Sequence, residues 1–185
     1  MKKKRSRPDF FLIAMKRFFL LFLCSLLVPL GGWSAVTDFS ALETAPIQSG
    51  GRQRPFGIFA KETMQRLTGR ATYVDAGQGK RSAMEMVFEL ATEPEAWQER
   101  PLILISYAPL REALGYSKDQ KLYSLKELFA NAELKGKIMA VEKRLQEPGR
   151  VDLSREETEV RDLAARISLA QALMNGTAFT MIPPP

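Results

Sequence analysis

The chain has 185 residues, 45% of them hydrophobic, with 27 Lys and Arg against 21 Asp and Glu, no histidine and a single cysteine, Cys24, inside an apolar run near the start. Beyond that run there is therefore no His/Cys metal site, no Ser–His or Cys–His nucleophile pair and no His or Cys ligand for haem iron. The formal charge of +6 is carried by residues 1–35, which hold seven basic residues and one acid; the other 20 cations and 20 anions cancel, leaving no surplus of the kind nucleic-acid binding requires.

Residues 1–35 read as a targeting segment. Lys2, Lys3, Lys4, Arg5, Arg7 and the pair Lys16-Arg17 precede the apolar run 18–30, which Gly31-Gly32-Trp33-Ser34-Ala35 follows. Thirteen residues fall short of the roughly 20 that span a bilayer and match a signal-peptide core, with an uncleaved membrane anchor as the other reading. Met15 before Lys-Arg would itself make a start, so the first fourteen residues are either a long basic region or an over-extended start. Cleavage after Ser34 leaves small residues at the sensitive positions, and Leu21-Phe22-Leu23 before Cys24 is not a lipoprotein site. The expectation is export, with 36–185 as one domain in the periplasm or at the outer face of the cytoplasmic membrane; its lack of cysteine is compatible with an oxidising compartment.

After an irregular arm, 36–45, comes the stretch 46–69. Gly50-Gly51 offers a turn at positive φ, and Arg52 and Arg54 alternate along an extended run ending at Pro55. Pro55 biases Arg54 away from helix, so a helix begins beyond it, with Ile58, Phe59, Ala60, Met64 and Leu67 as its apolar face and Gly69 as its stop. The stretch reads either as a surface turn over a core helix or as a docking element.

A strand is predicted over 71–75, followed by a turn at 76–79. Gly77-x-Gly79-Lys80 is not a phosphate loop, because Val74 and Arg81 stand where a glycine and a Ser or Thr are needed. Ser82-x-x-Glu85 is a capping box for a helix to about Leu90, with Met84, Val87, Phe88 and Ala91 on one face; Thr92-Glu93-Pro94-Glu95 repeats the pattern ahead of Trp97. The run 101–107 is the best strand, its partner expected at Tyr73 or in 178–182. Leu110 to Leu114 is helical up to Gly115. Ser124-x-x-Glu127 opens a helix with Leu125, Leu128, Phe129 and Ala132 inward; the apolar phase then slips to Leu134, Ile138, Val141 and Leu145, so a break is expected at 131–136 and a stop at Pro148-Gly149. Ser154-x-x-Glu157 caps a last helix with the stripe Val160, Leu163, Ala164, Ile167, Ala170 and Met174, flanked by the pairs Glu157 with Arg161 and Asp162 with Arg166, and Asn175-Gly176 stops it. The fold class is α+β: a mostly α-helical single domain with a small sheet of two or three short strands.

Two stretches resemble the CcsA/ResC-type cytochrome c assembly proteins of system II. Their opening pattern is roughly P-I-Q-x-G-G-R-x-K-P-(L/F)-D-T-(F/Y)-A-x-E. Pro46, Ile47, Gln48, Gly50, Gly51, Arg52, Pro55, Phe56, Phe59, Ala60 and Glu62 match it, Arg54 stands for the lysine, and Gly57-Ile58 replaces Asp-Thr, removing a helix-capping side chain. Near the other end, Glu157, Val160, Arg166, Gly176 and Met181-Ile182-Pro183 fill a pattern E-x-x-V-x-x-x-x-x-R, a small-residue stop and a short strand reaching a proline. The resemblance covers about 45–183. The family continues into membrane helices with a Trp-rich haem motif, whereas this sequence ends at Pro185, which looks like the extracytoplasmic domain as a separate protein.

The resemblance implies a non-enzymatic accessory component of cytochrome c maturation that binds no cofactor directly, docking on a polytopic membrane protein that handles the haem. The implied docking residues are Gln48, Gly50, Gly51, Arg52, Arg54, Pro55, Phe56, Phe59, Glu62 and Arg166. Two other classes compete. An envelope solute- or peptide-binding module would need a concave apolar pocket with converging polar groups. A hydrolase would need a Ser–Lys or carboxylate mechanism, for which no signature is present.

Overall fold

Serines and an asparagine decide where four of the helices start. Ser82, Ser124 and Ser154 each accept the backbone N–H three residues on, and Glu85, Glu127 and Glu157 reach back to the serine N–H, so all three capping boxes form as read. The computed structural model describes residues 39–75, 79–149 and 151–182, which belong to one compact unit. The targeting segment, the glycine turn at Gly77 and Pro183 lie outside the described residues.

In sequence order the elements are α1 (Ser40–Glu43), β1 (Pro46–Ser49), β2 (Arg52–Pro55), α2 (Phe56–Thr68), β3 (Thr72–Asp75), β4 (Gly79–Ser82), α3 (Ala83–Thr92), α4 (Pro94–Trp97), β5 (Ile103–Leu104), α5 (Ala108–Ala113), β6 (Leu122–Tyr123), α6 (Leu125–Ala130), α7 (Ala132–Leu145), α8 (Arg155–Met174) and β7 (Thr180–Met181). The domain is mostly helical α+β. The strands, however, form three small antiparallel sheets, β2-β1-β7, β3-β4 and β5-β6.

Asn131 explains the slip of apolar phase. Its side chain accepts from Leu134 N–H, so it ends α6 and caps α7 at once. Thr92 caps nothing, because its hydroxyl donates to the Phe88 carbonyl within α3 and Glu93 precedes α4 without a side-chain cap. The strand at 101–107 finds neither expected partner. Ile103 and Leu104 pair with Tyr123 and Leu122, while the terminal run pairs with β1, Ile47 opposite Met181. The Tyr73 hydroxyl donates to the Pro101 carbonyl at 2.9 Å, ahead of that strand.

The interior is built by α2, α3 and α8 around Trp97, Met64, Leu67, Leu90, Leu102, Ile103 and Leu163, all fully buried. Each large apolar side chain so enclosed contributes roughly 1.5–3 kcal/mol. Three faces are rotated from expectation. On α2, Ile58 is 50% exposed, because Phe56, Phe59, Ala60, Thr63, Met64 and Leu67 set the inward phase. On α3, Met86 and Leu90 take the core while Phe88 turns outward onto Phe39, their ring centroids 5.4 Å apart. On α6, Phe129 points outward.

The expected i,i+4 pairs on α8 are also replaced. Glu157 takes Arg144 from α7, Arg161 takes its neighbour Asp162, and Arg166 turns away from α8 altogether. For Glu157 and Arg166 the competing partners are tertiary, and the exposed helix pairs they replace are worth only a few tenths of a kcal/mol.

Candidate functional site

The stretch that carries the resemblance folds into a hairpin running directly into α2. Gly50 and Gly51 have φ of 56° and 76°, the backbone of a two-residue hairpin turn of the primed type. A side chain at either place would meet no neighbour, so glycine is required by the conformation and not by crowding. Pro55 is extended, with φ −62° and ψ 138°, and α2 begins at the next residue.

Strand register then sorts the side chains. Ile47 faces Arg54 and Ser49 faces Arg52, so these four share one face; Pro46, Gln48, Gln53 and Pro55 share the other. Ile47 is fully buried, which makes the first face the inner one. Arg54 lies half-buried along it and donates from Nη1 to Glu62 Oε2 at 2.8 Å, one turn and a half into α2. The Ser49 hydroxyl donates to the Ala178 carbonyl at 2.9 Å and fastens the hairpin to the segment ahead of β7. Arg52, beyond the edge of the core and exposed, has no side-chain partner among the described residues. The cation this end displays is therefore Arg52; Arg54 is neutralised by Glu62, in a surface pair contributing at most about 1 kcal/mol.

The other candidates fall in different places. Gln48 is exposed on the opposite face of the hairpin from Arg52, and Pro55 is exposed at its base. Phe56 and Phe59 are buried, so they are not surface contacts: both rings lie 5.3 Å from Phe179, forming an aromatic trio beneath the sheet. Within this fold the two rings serve packing. Arg166 lies at the far end of α2, its Nε donating to the Arg66 carbonyl at 3.1 Å and its Nη1 to the Leu104 carbonyl at 3.4 Å. Arg66 is in the last turn of α2, where carbonyls lack helical partners and carry the negative end of the helix dipole. Arg166 is thus a tertiary cap on the C-terminal end of α2 and does not join the hairpin.

Sequence reading missed why Gly57 stands where the family pattern has Asp. A Cβ there would lie 2.6 Å from Glu43 Cγ and 3.0 Å from the Glu43 carbonyl, so α1 packs against bare backbone. The substitution of a small residue at the start of a helix was the available signal. Also unread was Arg111, buried on α5, whose Nη1 donates to the carbonyls of Ile105 at 2.7 Å and Ser106 at 2.9 Å and whose Nη2 donates to that of Lys118 at 3.3 Å.

Shifted titrations lie away from the hairpin. Burial raises the phenols of Tyr116 and Tyr123, which stack with centroids 4.3 Å apart. Glu157 is held below the usual carboxylate range by the N–H and hydroxyl of Ser154 and by Arg144. No group of three or more His, Cys, Asp or Glu among the described residues could hold a metal ion, and none of their helices is long and apolar enough to cross a membrane. What this end presents is a glycine turn at positive φ and, among the described residues, an unpaired guanidinium at Arg52.

No family profile matches the sequence. It is similar to protein NrfI of Wolinella succinogenes, 24% identical over 138 residues, a stretch covering 73% of this protein and 14% of NrfI.

Proposed function

We propose that this protein is a non-enzymatic accessory component of cytochrome c maturation. It docks through the exposed end of the β1–β2 hairpin on a polytopic membrane protein that handles haem at the outer face of the cytoplasmic membrane. The observation that carries the reading is that the stretch resembling the assembly proteins folds as one unit, with Gly50, Gly51 and Arg52 exposed together at the tip of its hairpin. The similarity to NrfI supports the broader statement, a role in cytochrome c maturation. Haem stays with the partner in this reading, since residues 36–185 contain neither His nor Cys. Export by the segment 1–35 would bring the domain to such a partner.

The test is Arg52→Ala combined with Arg54→Ala. Neither side chain fills the core, so stability should move by less than about 0.5 kcal/mol beyond the loss of the Arg54–Glu62 pair. Haem-stained cytochrome c should disappear while the melting temperature of the purified protein holds. Unchanged staining, or a loss that merely tracks melting temperature, removes the docking reading. Alkaline phosphatase fused after residue 60 checks the placement, an inactive fusion contradicting it.

A further inference from the structure

The other end of the domain carries an apolar face that no described element covers. Met139 on α7 is 68% exposed and Phe129 at the end of α6 is 40% exposed. Together with Ile138, Ala164 and Ile167 they line a groove of about 350 Å3 along the junction of α7 and α8.

Charge on α7 is used unevenly around this groove. Lys137 binds Glu156 of α8 at 2.9 Å and Glu133 at 3.7 Å, and Arg144 binds Glu157 of α8. These cations latch α7 to α8 on the side away from the groove. Lys135 and Glu142 lie on the groove itself, both exposed, and among the described residues neither has a side-chain partner. They are seven residues apart, two helical turns or about 10 Å along the axis, with Ile138 and Met139 midway between them.

That arrangement is its own complement. A second α7 laid antiparallel, with a two-fold axis passing between positions 138 and 139, sets each Lys135 against the other copy's Glu142. It also sets Ile138 against Met139, and leaves the exposed Phe129 to cover the ends of the apolar strip. A partner of different sequence has no reason to match a +/− spacing centred on the apolar pair, whereas a second copy matches it by symmetry. We infer that the α7–α8 groove is the interface of a symmetric dimer of this protein. A helix pair and its flanks make a small contact beside the roughly 800 Å2 per partner of a standard interface, so association is to be sought in the micromolar range. This inference is independent of the cytochrome reading, and neither test depends on the other.

Sedimentation of the full-length protein in mild detergent, followed across the micromolar range, reads the association. Lys135→Glu and Glu142→Lys should each weaken it by roughly tenfold or more, since each places like charges together twice across the axis. The double variant Lys135→Glu, Glu142→Lys should regain it. An equimolar mixture of the two single variants should form a mixed dimer tighter than either alone. All should keep the parent melting temperature, because neither side chain has an internal partner. In a Cys24→Ser background, Met139→Cys should cross-link copies on oxidation, and Lys61→Cys, on α2, should not. A protein that stays monomeric throughout, or self-association insensitive to the charge swaps, overturns the proposal and leaves the groove to a different occupant.

Discussion

The hairpin end, 46–68, and the α7–α8 end, 132–174, both present charge to solvent, but they hold it in opposite ways. At the hairpin the backbone does the positioning: two glycines at positive φ and an extended proline fix where Arg52 stands, and nothing binds the guanidinium among the described residues. At the helical end side chains do the positioning, Lys137 and Arg144 clasping Glu156 and Glu157 while Leu134 and Val141 anchor α7 in the core. In the first region the displayed group can be removed without touching the fold. In the second, the cations Lys137 and Arg144 also hold two helices together, so removing them would change display and stability at once, whereas Lys135 and Glu142 have no such role.

Substitutions graded by size sharpen the contrast. The largest effect belongs beneath the hairpin: Phe59→Ala empties part of the trio with Phe56 and Phe179 and should cost about 3–5 kcal/mol in denaturant unfolding. A cost under about 1 kcal/mol would mean that the hairpin rests on the domain without being packed into it. Gly57→Ala should come next. Better helix propensity offers about 1 kcal/mol, but collision with Glu43 costs about 1–3 kcal/mol, so a net loss of up to about 2 kcal/mol is expected. Calorimetry showing stabilisation would mean that α1 moves aside freely.

Ser154→Ala removes the cap of α8 and should cost about 1 kcal/mol, a fall of about 2–4 °C in melting temperature. The same cap makes a pH prediction. Glu157 has its folded pKa depressed by Ser154 and Arg144, so its stabilisation is complete above the unfolded value near about 4.3 and is lost as pH falls through the folded value. Glu157→Gln should therefore flatten the acid limb of melting temperature against pH, and an unaltered limb would show that other carboxylates govern it. The smallest effect is Arg52→Ala alone, within about 0.5 kcal/mol of the parent. A larger change would show that the exposed guanidinium carries structural load, and the contrast between the two ends would fail.

What could be read from sequence was whatever a few neighbouring residues settle among themselves. The serine–glutamate boxes at Ser82, Ser124 and Ser154, the left-handed stop at Gly69, the Gly50–Gly51 turn and the break at Asn131 all appear because donor and acceptor lie within four residues of each other. What escaped depends on residues distant in sequence. Leu122 and Tyr123 carry no strand signal of their own and pair with β5 because that strand brings them an edge. Arg144 captures Glu157 from Arg161 only once α7 lies along α8. Phe56 and Phe59 look available for docking until Phe179, far along the sequence, closes over them. Arg166 matches a family position and looks like part of the site, yet the carbonyls it needs are at Arg66 and Leu104.

The pairing of β1 with β7 has a mechanical side. Ile182 N–H donates to the Pro46 carbonyl at 3.1 Å, and the two antiparallel strands meet with their outer ends together. Tension applied through residues 46 and 182 therefore loads that hydrogen bond first and the next only after it breaks, peeling the strands apart one rung at a time. β7 would be stripped away at low force, taking with it the Ser49–Ala178 fastening and the Phe179 ring that covers Phe56 and Phe59. A pull on the two ends of the folded domain would thus loosen the hairpin well before it disturbed α8.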